Sequence, residues 1–218
     1  MNEALIPPSM LFRFAVPCRY RSPLWNERGA RLTQAYRLPE LTSLNGNPSW
    51  AEMRAGWCDE GIAFWMRVTG KQNPPCAHRS KPLESDGLQL WIDTRATHNI
   101  HRAGRFCHRF LFLPTGGGQR RDTAQGGMLP IHRARDMPRS AEPGQVKVRS
   151  RRHADGYTLQ AFIAGEALTG FSPGDHPRLG FTYAVNDAEL GTQTFSCPEP
   201  FPYDEDPSVW ATLELVSE

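Results

Sequence analysis

Asp86-Gly87-Leu88-Gln89-Leu90-Trp91-Ile92-Asp93 decides the fold class of this chain. Leu88, Leu90 and Ile92 recur at every second position, with Gln89, Trp91 and Asp93 between them. Side chains alternate across a β-strand, so the first set shares one face and the second set the other. The next apolar stretch, 105–113, repeats the pattern. Phe106, His108, Phe110 and Phe112 fall on one face, and Cys107, Arg109, Leu111 and Leu113 on the other. Upstream, Ile62 to Val68 begins apolar on both faces, as a strand in the middle of a packed sheet does. It follows the stretch 50–57 across Asp59-Glu60-Gly61, and the pair reads as a hairpin because Gly supplies the positive φ of a tight turn. Downstream, 145–151 and 157–163 flank His153-Ala154-Asp155-Gly156, a second hairpin signal. Residues 11–16 read as an opening strand, and 178–186 and 209–216 complete the set. Residues 164–168 read as one short helical turn, and the polar, Gly-rich stretch 119–127 as a mobile loop. About ten strands separated by turns at intervals of roughly 8–12 residues predict an all-β chain. The expected form is a jelly-roll-like antiparallel β-sandwich with at most a short helix.

Composition agrees. The 218 residues include 19 Gly and 19 Pro, the mixture that short strands and tight turns require. A chain of this size buries about 70% of its unfolded surface as one unit, so a single domain over 1–218 is expected. With 25 Lys+Arg against 23 Asp+Glu, the charge gives no reason to expect a nucleic-acid partner or an anionic membrane. Basic residues gather between Arg95 and Arg152, a pattern that mostly keeps faces and loops solvated. No apolar run approaches the roughly 20 residues of a membrane helix. Pro7, Pro8 and Arg13 interrupt the first twenty residues, so no secretory signal is visible there. Five cysteines without a CxxC pair fit reduced thiols, and the expected location is the cytoplasm.

Four blocks, in order, resemble the family 9 carbohydrate-binding modules and the related DOMON-like sandwich domains. They are Pro82 to Asp93, Gly156 to Ile163, Leu179 to Ala188 and Asp206 to Leu215. The resemblance covers about residues 50–216. It implies a jelly-roll-like sandwich that binds the end of a sugar chain by clamping one ring between two tryptophans. Polar side chains reach the hydroxyls, and some members carry structural calcium. The physical basis is general: the apolar face of a pyranose stacks on an aromatic ring, and buried hydroxyls need partners. Placed on this chain, the resemblance implies a carbohydrate site at Gln89, Trp91, Asn186, Phe201 and Tyr203. Leu83 stands where one clamping tryptophan falls, and Tyr203 or Phe201 stands near the other. Gln89 takes the place of the family's acidic residue, and Leu111 and Leu113 fall where its polar pair stands.

Other chemistry leaves weaker marks. His98, His101 and His108, with Cys107 adjacent and Cys76 and His78 upstream, are ligand types that zinc or copper accepts. Their spacing matches no closed metal motif, and Cys107 and His108 point to opposite faces of a strand. Some DOMON-like domains hold haem with Met and His, and Met53, Met66 and Met128 are the residues here that such ligation would use. Asp86, Asp93, Asn186 and Asp187 offer oxygens for calcium or a ligand, though Asp and Asn favour strand-end turns on their own account. Trp57, Trp65 and Trp210 are expected in the core. No Gly-x-Ser-x-Gly elbow is present, and Arg120-Arg121-Asp122 lacks the Lys-Ser/Thr of a phosphate loop. The expected function is therefore a non-catalytic glycan-binding module. A protein-interaction scaffold that has lost the sugar clamp and a metal- or haem-linked domain are the alternatives.

Overall fold

The computed structural model describes residues 6–217; residues 1–5, the start of the stretch read above for a leader, lie outside the described residues. Thirteen strands are present among the described residues: β1 (Ala15–Tyr20), β2 (Trp25–Asn26), β3 (Gly29–Ala30), β4 (Ala51–Cys58), β5 (Gly61–Thr69), β6 (Gly87–Asp93), β7 (Cys107–Gly117), β8 (Thr123–Leu129), β9 (Val146–His153), β10 (Gly156–Ala164), β11 (Arg178–Asp187), β12 (Gly191–Thr194) and β13 (Ala211–Val216). The helical segments among these residues are short 3-10 turns, the longest being Leu41–Asn45. Gly165–Ala167 is the turn expected after β10. Among the described residues, no helix is long and apolar enough to cross a membrane.

One hydrogen-bonded path runs β8-β7-β6-β11-β13-β1-β4-β5-β10-β9, with β12 added on β11 and β2-β3 as a separate hairpin. The path curls until its two ends lie side by side, where Ser150 Oγ donates to the Pro114 carbonyl. The main sheet is nearly a barrel, rather than the two distinct jelly-roll layers expected. It is not wholly antiparallel either, because β1 pairs in parallel with β13 and, through Arg19 and Tyr20, with β4. The two halves of the path face each other across the core. Phe64 of β5 stacks on Phe181 of β11 at 5.6 Å between ring centroids. Burying one such ring contributes about 1.5–3 kcal/mol.

Local sequence explains the register. Asp59-Glu60 forms the two-residue loop between β4 and β5, with Cys58 opposite Gly61. Gly61 lies at φ 150°, and a Cβ there would sit 2.2 Å from the Ile163 carbonyl oxygen, so no other residue fits. The expected loop at 119–127 is instead largely β8. Its Gly126 pairs with Phe112, and a Cβ at that position would meet the Phe112 ring at 2.4 Å. The glycines that suggested mobility are what let this strand lie against an aromatic-rich neighbour. The opening strand also begins later than expected, at Ala15, because β13 sets its register (Val16 opposite Leu213) and leaves Leu11 and Phe12 exposed.

Two outer faces are covered. The β2-β3 hairpin lies over Ala63 and Phe162 and is held by a bond from Ala30 N to Gln160 Oε1. On the opposite side, the segment from Cys197 to Trp210 packs with Trp91, Cys107 and Ala184. Trp57 and Trp210 are buried as expected, whereas Trp65 is half-buried under the Arg54 guanidinium at 3.8 Å. All five cysteines are free thiols. Cys18, Cys58, Cys107 and Cys197 are buried and Cys76 is exposed.

Candidate functional site

The alternation in β6 turns Gln89 and Trp91 onto the outer sheet face, opposite the core-facing Leu88, Leu90 and Ile92. Gln89 lies between Leu111 of β7 and Ala184 of β11, and Trp91 between Arg109 and Thr182. The Arg109 guanidinium sits over the Trp91 ring at 5.1 Å and donates to Gln89 Oε1 at 2.6 Å. Its Nε is buried without a hydrogen-bond partner. Burial lowers the Arg109 pKa, with Asp204 and Tyr203 acting against that shift.

The C-terminal segment closes over this row. Tyr203 meets Trp91 edge-on at 5.6 Å, Trp91 Nε1 donates to the Asp204 carbonyl at 2.9 Å, and Trp210 Nε1 donates to the Tyr203 carbonyl at 2.8 Å. Burial, helped by the charges of Glu199 and Asp204, pushes the Tyr203 hydroxyl up to about 12. Phe201 packs at the margin of the same cluster. Asn186 stands on the same sheet face beside Gly87, where its Nδ2 donates to the Leu83 carbonyl and its Oδ1 accepts from Thr192. The structure thus brings Gln89, Trp91, Phe201 and Tyr203 together and sets Asn186 apart, next to Leu83. Trp91 is only 1% exposed, so its ring face is not open to a ligand. The residue that links the cluster, Arg109, was missed as a functional candidate. Its sign in the sequence was its place on the Leu111–Leu113 face of β7.

Two depressions flank the row. Across the β6-β7 ladder from Gln89, Leu111 opens into one of about 220 Å³ lined by Pro82, Leu111, Leu113 and the β8 residues Gln125 to Leu129. Beyond Trp91, the loop from Glu199 to Glu205 lines another of about 470 Å³. An apolar floor beside a charged donor and an amide suits a ligand with one greasy face and several hydroxyls.

The three histidines do not assemble. His98 Nε2 lies 3.0 Å from Thr212 Oγ1, on the wall of an open cavity of about 480 Å³ that also includes Arg13, Arg95, Arg178 and His176. Burial and then Arg13 lower its pKa. His101 faces Asp206 at 3.1 Å and is exposed. His108 is buried, with Nδ1 on the Ile92 carbonyl and Nε2 accepting from Thr169 N. Among the described residues, no group of three or more His, Cys, Asp or Glu side chains is arranged to hold a metal. Met53 and Met66 are part of the core, and Met128 is half-buried on β8.

The four oxygen donors also separate. Asp93, at the far end of β6, caps its own turn by accepting from Arg95 N and Thr97 N. Asp86 and Asp187 do converge, on Lys71. Its Nζ lies 2.9 Å from Asp187 Oδ1, 3.1 Å from Asp86 Oδ2 and 3.7 Å from Glu189 Oε1. Burial acts to lower the Lys71 pKa, but the hydrogen bonds the ammonium donates to Asp187 and Asp86, with the charges of those carboxylates, outweigh it, and the net shift is upward. Calcium coordinated by this set would need the position that the ammonium takes, so the residues present do not fit the metal at this point. Nothing in the sequence around Gly70-Lys71-Gln72 marked that lysine.

No protein-family model matches the sequence, and no curated protein matches it. A family 9 carbohydrate-binding module from Caldicellulosiruptor kristjanssonii in complex with cellotriose superposes with a TM-score of 0.62 at 13% identity, covering 94% of this chain and 95% of that one. The same kind of module from that organism in complex with glucose gives a TM-score of 0.62 at 13% identity, covering 94% and 97%. The curled all-β sheet described here has the fold of a family 9 carbohydrate-binding module.

Proposed function

We propose that this chain is a non-catalytic, carbohydrate-binding protein whose ligand lies on the outer face of β6 and β7. One observation carries the reading: the hydrogen-bonded Gln89–Arg109 pair lies one ladder position from Leu111 and Leu129, at the edge of the apolar depression floored by Leu111 and Leu113. A sugar ring laid on that floor places hydroxyls toward the pair and toward Asn186, and Tyr203 and Phe201 close the opposite side. The solved modules of the same fold hold cellotriose and glucose, which supports a carbohydrate as the partner. Retention on immobilised oligosaccharides, cello-oligosaccharides among them, is expected for the native chain. A charged hydrogen bond to a ligand contributes about 1.5–3 kcal/mol, so Arg109→Met should weaken retention roughly tenfold or more without unfolding the protein. No retention across a broad glycan panel overturns the reading.

A second reading has its own support. Leu83 is 41% exposed beside a depression whose walls include Pro82, Leu111, Leu113, Met128 and Leu129. Apolar surface of this kind also suits a protein partner. A silent glycan panel, with association of a partner protein abolished by Leu83→Glu in a chain that melts like the native one, would favour the interaction scaffold instead.

A further inference from the structure

We infer that the Lys71 ammonium is an internal substitute for a divalent cation, locking three strand ends together where Asp86 and Asp187 meet. Lys71 follows β5, Asp86 precedes β6 and Asp187 ends β11, so one charged group joins segments far apart in sequence. The side chains of Lys71, Asp86 and Asp187 are almost fully buried, at 1%, 0% and 0% exposure. Two carboxylates this close cannot both remain ionised in a dry site without a positive charge between them. The ammonium supplies that charge and places donors on one oxygen of each. The surrounding backbone is organised by the same anions. Asp86 accepts from Cys76 N and Ala188 N, Asp187 Oδ1 from Glu189 N and Leu190 N, and Glu189 from Gln72 N and Asn73 N.

Oxygens remain that the lysine does not use. Asp187 Oδ2 and the Tyr157 hydroxyl are buried and have no hydrogen-bond partner. Tyr157 is completely buried, and Asp187 and Asp86 lie close enough to act on its hydroxyl electrostatically. Asp86, Asp187, Glu189 and Tyr157 together make an oxygen-rich chamber of the type hard cations favour, with an amine filling its centre. Removing the amine, and not any acidic residue, should turn this structural ion pair into a calcium site.

Thermal melts in calcium and in chelator, with terbium luminescence excited through tyrosine, test this. The native chain should melt at the same temperature in both buffers and give no sensitised terbium emission from this chamber. Lys71→Ala should melt lower in chelator, recover about 5–10 °C when calcium is about a hundredfold above its Kd, and sensitise terbium through Tyr157. A folded Lys71→Ala that neither gains stability from calcium nor binds terbium overturns the inference. So does a native chain stabilised by calcium in a manner lost on Asp187→Asn. Should Lys71→Ala fail to fold in either buffer, the native chain decides: melting insensitive to chelator supports the inference, and calcium-dependent melting overturns it.

Discussion

His108 makes a hydrogen bond through each ring nitrogen, and the two bonds require different things of its proton. Nδ1 faces the Ile92 carbonyl and must donate, while Nε2 accepts from Thr169 N and must be bare. The pair assigns the neutral ring with its proton on Nδ1. A second proton would set two donors against each other in a site with no exposure. Burial holds the folded-state pKa down to about 4, against 6.5 for the free group. Between those values the unfolded chain binds more protons than the folded one, so stability falls as the pH falls. The contribution is complete above pH 6.5, fades toward pH 4, and changes no further below that. The span corresponds to roughly 3 kcal/mol. His108→Gln should therefore start from a lower plateau near neutral pH and lose less between pH 6.5 and 4, as read by urea melts of both proteins at a series of pH values.

At the level of elements, hairpins were the most legible part of the chain. Asp59-Glu60-Gly61 and Ala154-Asp155-Gly156 fix two-residue turns by backbone chemistry alone, and β4-β5 and β9-β10 pair as that chemistry requires. Strands whose existence depends on a distant partner were not legible. β8 carries too many glycines to alternate clearly, and Phe112 is what makes it a strand. β12 is four residues long, too short for a periodic signal, yet it joins the two halves of the sheet. Its Gln193, 1% exposed, accepts from both Trp50 N and Ala51 N and donates to the Ala51 carbonyl, at the start of β4. Replacing it by Leu keeps the volume but strands three buried backbone groups at 1–3 kcal/mol each at most, relieved in part by relaxation. Gln193→Leu should thus cost about 3 kcal/mol in chemical denaturation, with amides at the head of β4 exchanging faster with solvent.

On the scale of the whole molecule, alternation alone placed Gln89 and Trp91 on one face and made them neighbours of Tyr203 once the C-terminal segment folded back. What alternation cannot report is how deeply that segment covers them. A sequence gives the direction of a side chain from its own strand, but its exposure is set by chain more than a hundred positions away, as the Trp91 bond to Asp204 illustrates. The same limit hid Lys71, whose partners come from the far ends of two other strands. It also separated His98, His101 and His108, which are close in sequence but are claimed by Thr212, Asp206 and Thr169 in turn.

The distribution of sulfur leaves the folded molecule with a built-in attachment point. Four thiols are sealed within the protein and one, Cys76, faces solvent. An alkylating dye should consume one equivalent per native chain and five after denaturation, a ratio that mass spectrometry reads directly. Since the Cys76 amide is tethered to Asp86 at 2.8 Å, a fluorophore carried there would report loosening of the lysine-centred lock from a single bond away, with no engineered cysteine required.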